Sequence, residues 1–535
     1  MRRFGLLVLF VAAAAQVLPS ACSKERTSAP PRSIAARPAI GRVIVLGFDG
    51  LEPSLVEKWV AEGDLPNFER IIDSGAFGPL FTVLPSSSPP AWCSAVTGVN
   101  PGKHGVYGFS ANALPGFPGQ EAKKDADGPA GPIFYTSRSR GFQAVWDVLG
   151  RSGRRSTLVN IPLTSPADSL NGIMISGFPY ASEDTSTFYW PKQVAKYLGD
   201  YAFDTSARPV DRAHEKEFLS EIDSVSQKRQ RLGLTLFDAG DWDLFWLVFT
   251  FPDRYQHHFW KYMDKSHPLY DAAGGRLYDR AIESAYRMAD GYLGDFMKRM
   301  RDTDLLIVMS DHGFGSVEYP INTQNFLFRT LGPVPEVKCT DYFGATFQID
   351  TSGPGGEEKY ASLRNTLVKG LLELKDPVRG VQVVDSVYLK EEIYRGHYVG
   401  TAPDVVGIEA AGYLFWTNPR TPDLRLIDTG PKSSQILSGF HKRRGVLALY
   451  GKNIKGGVAA EARIVDIAAI ILAYQGVPAP AEIDGHLPAG VFTEDITQQI
   501  DLVKSADSGY RTPKTLADQD TKAMKKQLRA VGYIQ

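Results

Sequence analysis

The chain has 535 residues with 59 Lys+Arg against 60 Asp+Glu, a formal charge of −1 that offers phosphate backbones no global basic surface and argues against nucleic-acid binding. Its 43% hydrophobic and 22% charged residues lie near globular averages and exclude wholesale disorder. Three cysteines, Cys22, Cys93 and Cys339, cannot build a disulfide framework, and with no C-x-x-C they are set aside as metal ligands.

Met1-Arg2-Arg3 followed by the apolar run Phe4 to Leu18 reads as an export signal, too short for a membrane span of about 20 residues. Small residues then lead into Cys22, in Pro19-Ser20-Ala21-Cys22, an arrangement that resembles the lipobox of bacterial lipoproteins. It implies lipid attachment at Cys22 and a membrane-anchored protein of the periplasm or cell envelope; cleavage as a plain signal is the alternative. Residues 23–40 are rich in Ser, Pro, Arg and Ala and serve as a tether.

From residue 41 the pattern alternates between short apolar runs and amphipathic segments. Arg42 to Phe48 is a β-branched run closed by Asp49-Gly50, as a buried parallel strand ends at a functional edge. Leu51 to Gly63 and Leu65 to Gly75 have helical spacing and glycine stops. Further strands are predicted at Ser156–Asn160, Leu244–Phe249, Leu305–Met309 and Gly445–Tyr450. Strands separated by helices imply a doubly wound α/β sheet. At roughly 150 residues per domain the length suggests three or four units. The stretches at about 110–240 and 318–435 read instead as insertions into one catalytic body over residues 41–500. Residues 501–535 form a polar tail with an amphipathic closing helix at Thr515–Val531.

Chemistry gathers beside the predicted strands. Asp49 follows the first. Asp253 and His257, in Phe251-Pro252-Asp253-Arg254-Tyr255-Gln256-His257-His258, share one face if the segment is helical. Asp311-His312-Gly313 follows the run ending at Met309, and His441 precedes the last strand. Alone, each has a bland reading: a turn, a surface pair, a packed histidine. His104, His214, His267, His397 and His486 are read that way. Together, three Asp and three His form an N/O donor set that suits two Zn²⁺, or Mn²⁺.

Ser88 opens Ser88-Pro89-Pro90-Ala91-Trp92-Cys93. Two prolines suit a first helical turn with Ser88 as N-cap. The functional reading is a nucleophile at a helix start, where the prolines remove amide donors and leave the metals to carry more of the charge. Lys103, Arg138, Arg140 and Arg254 are candidate phosphate clamps, with solvated surface cations as the bland alternative. Cys93 reads as a buried thiol.

Phe48-Asp49-Gly50, the segment from Ser88 to Gly105, Asp253 with His257, Ser310-Asp311-His312-Gly313 and Gly439-Phe440-His441 together resemble the alkaline phosphatase superfamily, and within it the type I phosphodiesterase and nucleotide pyrophosphatase branch. The motifs come in family order over about residues 42–490. The resemblance implies an alkaline-phosphatase-like doubly wound, mostly parallel central sheet with helices on both faces and inserted cap segments. It implies one zinc on Asp49, Ser88, Asp311 and His312, and another on Asp253, His257 and His441, with His257 preferred over His258 by the family's spacing from Asp253. It also implies a phosphoseryl intermediate at Ser88.

Two departures bear on the substrate. Ser88 and Ala91 stand where nucleotide pyrophosphatases of the branch carry Thr and Asn, which leaves nucleotide preference open. Trp92 replaces the arginine that sulfatases need, which argues against a sulfatase. The expectation is an exported two-metal hydrolase of small phosphate esters, diesters first. The alternatives are a phosphomonoesterase or phosphonate hydrolase with the same site, and a non-catalytic lipoprotein that binds a phosphorylated glycan.

Overall fold

The computed structural model describes residues 36–111, 133–203, 212–341, 343–351, 355–417, 419–423, 425–427, 437–514 and 521–530. The export signal, Cys22 and most of the tether lie outside them.

The core begins with strand β1 (Val43–Phe48), followed by helices α1 (Pro53–Ala61) and α2 (Pro66–Ser74), strand β2 (Ala76–Phe81) and helix α3 (Ser88–Thr97). Strands β3 (Ser156–Ile161), β4 (Gly172–Ser176), β5 (Tyr189–Trp190) and β6 (Leu244–Phe249) come next, then helices α4 (Phe251–Met263) and α5 (Ala281–Met297). Strands β7 (Leu305–Met309), β8 (Gly313–Asn322), β9 (Gly439–Lys442) and β10 (Arg444–Tyr450) and helix α6 (Asp466–Tyr474) complete the elements that build the site.

The central sheet has ten strands, with β2, β10, β7, β1, β6, β3, β4 and β5 adjacent in that order and two short segments, Val458–Ala459 and Ala462–Arg463, beside β2. β1 pairs in parallel with both β6 and β7, and β3 with β4 and β6; β10 runs antiparallel between β2 and β7. This is the mostly parallel doubly wound arrangement expected.

Both faces are covered because residues alternate between two cores. Val43 and Val45 of β1, Trp246 and Val248 of β6 and Ile307 of β7 pack with Trp92, Ala95 and the apolar residues of α6. Ile44 and Leu46, Phe245 and Leu247, and Val308 pack on the other face with Trp59, Phe68, Phe259 and Leu293 from α1, α2, α4 and α5. Period-2 alternation inside a continuous apolar run is what a strand buried on both faces requires.

The stretch at 110–240 is mixed. It holds β3, β4 and β5 of the central sheet and the long helix Glu215–Asp238 as well as irregular segments. From β8 onward the stretch at 318–435 forms an outer lobe. Its four-stranded sheet orders Val337–Cys339, Thr346–Ile349, Val405–Glu409 and Val384–Leu389 around a separate core that includes Phe347, Leu367 and Phe415. The closing helix spans Thr521–Ala530, and Met524 and Leu528 pack with Phe109, Phe178 and Tyr180. Residues 515–520 and residue 531 of the predicted helix lie outside the described residues. Among the described residues no helix is long and apolar enough to cross a membrane.

Candidate metal centre and nucleophile

Parallel strands deliver their following residues to one edge of the sheet, and the site forms there. Asp49 follows β1, Asp253 sits in the first turn of α4 after β6, and Asp311 and His312 bridge β7 and β8. The antiparallel strand β10 begins at this edge, so the residues just before it arrive from the other direction. His441 lies there, in β9, which pairs with β8 opposite Phe314. It therefore sits on a strand of its own.

Two clusters result. Asp253, His257 and His441 form one, and Asp49, Asp311 and His312 the other; in each, the potential donor atoms lie within 4.8 Å of one another and every residue is buried. The rings of His312 and His441 stack with centroids 3.7 Å apart, so the clusters adjoin.

The histidines are oriented alike. His257 Nδ1 donates to Gly439 O at 2.9 Å, His312 Nδ1 to Gly313 O at 3.0 Å and His441 Nδ1 to Ser86 O at 3.1 Å. A carbonyl only accepts, so this assigns the proton to Nδ1 and turns a bare Nε2 lone pair inward. His257 Nε2 and His441 Nε2 then face each other at 3.1 Å, with Asp253 Oδ1 at 3.1 Å from the first and 3.2 Å from the second. Three acceptors so close repel unless a cation lies among them. Asp311 Oδ2 is likewise buried and accepts no hydrogen bond. A divalent cation in each cluster answers both problems, and backbone carbonyls on the remote ring nitrogens are the usual second layer of such centres.

The electrostatics agree. Burial, reinforced by Asp311 and Asp253, pushes the Asp49 carboxyl well above the ordinary range. Burial and then Asp253 push Asp311 up to about 7. Burial lowers His312, and burial with His312 lowers His441 to about 3, which keeps both imidazoles in the neutral, ligating form.

Ser88 faces the Asp49 cluster, with Oγ 3.2 Å from His312 Nε2 and 3.5 Å from Asp49 Oδ1. It is not the N-cap. Ser87 takes that place with extended backbone and makes no side-chain capping bond, while Ser88 is the first helical residue. Pro89 and Pro90 occupy the rest of the first turn, where a missing N–H costs little, so the serine side chain is free to point at the site.

The other candidates separate cleanly. Arg140 is buried against Asp168 at 2.8 Å and Lys103 pairs with Asp484 at 2.7 Å and Glu482 at 3.4 Å, so both are structural. His258 turns away from the centre against Phe218, with ring centroids 5.0 Å apart. His104 donates and accepts within its own segment, with Ser94 Oγ at 2.9 Å and Val106 N at 3.1 Å. Cys93 is buried as expected.

Several contributors had no signature in the sequence. Trp92 Nε1 donates to Asp49 Oδ2 at 3.3 Å, and its ring lies over Gly47, where a Cβ would stand 2.5 Å from the indole. Gln256 Nε2 donates to Gly50 O at 2.7 Å and to Pro252 O at 3.1 Å, tying α4 to the end of β1.

A model of the type I phosphodiesterase / nucleotide pyrophosphatase family matches residues 43–441, a span that includes all seven site residues. The chain belongs to this family. Its fold is shared with murine ectonucleotide pyrophosphatase/phosphodiesterase 5, solved as an inactive variant in complex with AMP, at 16% identity and TM-score 0.52 over 86% of this chain and 100% of that one. The human protein of the same name gives 15% identity and TM-score 0.52 over 86% and 100%. At such identities the likeness speaks for the fold. No curated protein matches the chain by sequence. As a type I phosphodiesterase / nucleotide pyrophosphatase family member, the chain is a hydrolase of the alkaline phosphatase superfamily.

Proposed function

We propose that this chain is an exported hydrolase of small phosphate esters, diesters first, that works through a phosphoseryl intermediate at Ser88. The observation that carries the reading is that His312 Nε2 and the buried Asp49 carboxylate meet at Ser88 Oγ, at 3.2 and 3.5 Å, beside a second buried cluster of Asp253, His257 and His441. Asp49, Ser88, Asp311 and His312 would hold one divalent cation and Asp253, His257 and His441 another, Zn²⁺ first and Mn²⁺ as the alternative. When bound, such cations supply positive charge against the phosphoryl oxygens and lower the pKa of the serine.

The chain's own residues then do the rest. Ser88 loses its proton to solvent and attacks phosphorus, forming the Oγ–P bond as the bond to the leaving alkoxide breaks. Water attacks the phosphoserine, the Oγ–P bond breaks and Ser88 takes back a proton. Trp92 and Gly50 N hold the carboxylates of Asp49 and Asp311 in place, at 3.3 and 3.2 Å, so little reorganisation accompanies the charge change. Zinc-loaded protein should hydrolyse bis-p-nitrophenyl phosphate faster than p-nitrophenyl phosphate, and EDTA should abolish both. Faster monoester turnover would move the assignment to a phosphomonoesterase, and no turnover of either would point to binding without catalysis.

Export and anchoring through Cys22 complete the proposal, supported by the basic Met1-Arg2-Arg3, the apolar run to Leu18 and the small residues before Cys22. Cys22→Ser should shift the protein from the membrane to the soluble envelope fraction; retention in the membrane fraction would discard the anchor.

A further inference from the structure

A cavity of about 90 Å³ opens between the catalytic edge and the outer lobe. One wall is Leu84 to Ser87, the segment that leads into Ser88, together with Phe440, His441, Lys442 and Arg443; the other comes from the outer lobe around Phe343 and Glu409. The cavity therefore touches the metal centre through His441 and through Ser86, whose carbonyl holds the His441 ring. At about 10–15 Å³ per water it has room for several waters. It falls far short of the roughly 300–1,000 Å³ cleft that encloses a drug-sized ligand, so it fits one end of a substrate.

Lys442 is the unusual member of the lining. It is half-buried, and its ammonium group makes neither a hydrogen bond nor a close ion pair among the described residues, although it attracts Glu409 across the cavity. Its stem is fixed by the strand beside it: a Cβ on Gly315 would stand 2.8 Å from Lys442 Cε and 3.2 Å from its Cγ, so the missing side chain is what lets the lysine lie there. The neighbouring Arg443 is exposed. Two carboxylates line the outer wall, Asp341 and Glu409. Glu409 Oε1 is turned to its own lobe, accepting from Ala345 N at 3.0 Å and Phe415 N at 3.4 Å, and burial raises its carboxyl against the pull of those backbone donors and of Lys442. The cationic side of the cavity is thus the side next to the reacting centre.

We propose that this cavity is a binding subsite for an oxyanion on the non-reacting arm of the substrate, a carboxylate or a second phosphate-type group, and that Lys442 is its contact. The proposal rests on the hydrolase reading and names the class of diester that the site selects: one bearing a second negative charge a few bonds from the reacting phosphorus. Phe343 and Phe440, with ring centroids 5.2 Å apart, form the apolar wall against which the linking carbons lie.

The test compares p-nitrophenyl 2-carboxyethyl phosphate and p-nitrophenyl 2-phosphonoethyl phosphate with the neutral p-nitrophenyl 2-carbamoylethyl phosphate, using zinc-loaded protein. The ratio of kcat/KM for a charged arm over the neutral arm should be about tenfold, the weight of one charge-assisted hydrogen bond. Lys442→Met should bring that ratio close to one and Lys442→Arg should keep most of it. Gly315→Ala, which leaves the lysine in the chain but displaces its stem, should lower the ratio too. Ratios near one for both charged arms in the unaltered protein, or a ratio retained in folded Lys442→Met, would overturn the subsite while leaving the hydrolase standing. If the unaltered protein turns over none of the three, the hydrolase reading fails. The same comparison is then made by calorimetric binding of the three compounds, and the subsite stands or falls on whether Lys442→Met removes a roughly tenfold preference for the charged arms.

Discussion

Ser88 is one of four potential donors to its half of the centre, beside Asp49, Asp311 and His312, and the one to which the proposed reaction gives the nucleophile's role. Ser88→Ala should therefore remove turnover while metal content stays near that of the unaltered protein, because three donors remain. The lost hydroxyl has no capping role in α3, so the melting transition should barely move. Single-turnover assays with elemental analysis check this, and an active Ser88→Ala protein would refute the nucleophile. The seven candidate residues could be named from the sequence because their chemistry resides in residue type and spacing, with Asp253 and His257 separated by one helical turn, and the structure brings them together. The groups that orient them were not. Gly439 O, Gly313 O and Ser86 O act as backbone, and no residue type announces a carbonyl. Trp92 was legible only as the residue that replaces the sulfatase arginine, because its bond to Asp49 depends on how α3 crosses the end of β1.

At the scale of elements, the site depends on β1 and α4 keeping their relative position, since one supplies Asp49 and the other Asp253 and His257. A buried polar chain fixes it. Glu52 N donates to Tyr286 Oη at 2.7 Å, Tyr286 Oη donates to Gln256 Oε1 at 3.0 Å, and Gln256 Nε2 donates to Gly50 O at 2.7 Å. Gln256→Met keeps the volume but leaves the Gly50 carbonyl and the Tyr286 hydroxyl without that partner, a cost of about 1–3 kcal/mol for buried polar groups. The variant should unfold at lower denaturant and hold its metals less tightly, read by chemical unfolding and by chelator competition. Unchanged metal affinity would show that the two elements need no such tie. Strands β1, β6, β7 and β10 were read almost to the residue because each is an apolar run, rich in β-branched or aromatic residues, buried on both faces. β2 was missed for a clear reason: Gly78 and Pro79 lie in its middle, and proline has no N–H for the ladder. Its outer neighbours pair only with Ala76–Phe77 and Leu80–Phe81, which leaves those two positions unpaired on that side. β9 was missed because its four residues pair only with β8, a contact made across the loop into the outer lobe.

For the whole molecule, the candidate centre joins segments that are far apart in the chain, from Asp49 to His441, so cations held there would link the ends of β1, β6 and β7 with β9. Anything that binds only the folded form adds stability in proportion to the logarithm of its concentration, about 4 kcal/mol at a thousand times Kd. EDTA should therefore lower the melting temperature and Zn²⁺ should restore it. The pH dependence has a definite sign. In cation-free protein the Asp311 carboxyl, raised to about 7 in the fold, stabilises the folded state as the protonated acid; that contribution is complete below its ordinary value of 3.8 and is lost as pH rises through 7. His312 and His441 are lowered, so their contribution is lost only as pH falls below their ordinary value of 6.5. Between pH 6.5 and 8 the raised carboxyls of Asp311 and its neighbour Asp49 share the effect, and cation-free protein should lose about 1 kcal/mol or more over that window. Cation binding must displace the same proton, so Zn²⁺ should bind several-fold more tightly at pH 8 than at pH 6.5. Competition with a chelating dye at the two pH values, with melting curves of cation-free and zinc-loaded protein, measures both. Affinity independent of pH, together with a melting difference that does not widen towards pH 8, would mean that Asp311 does not bind the cation.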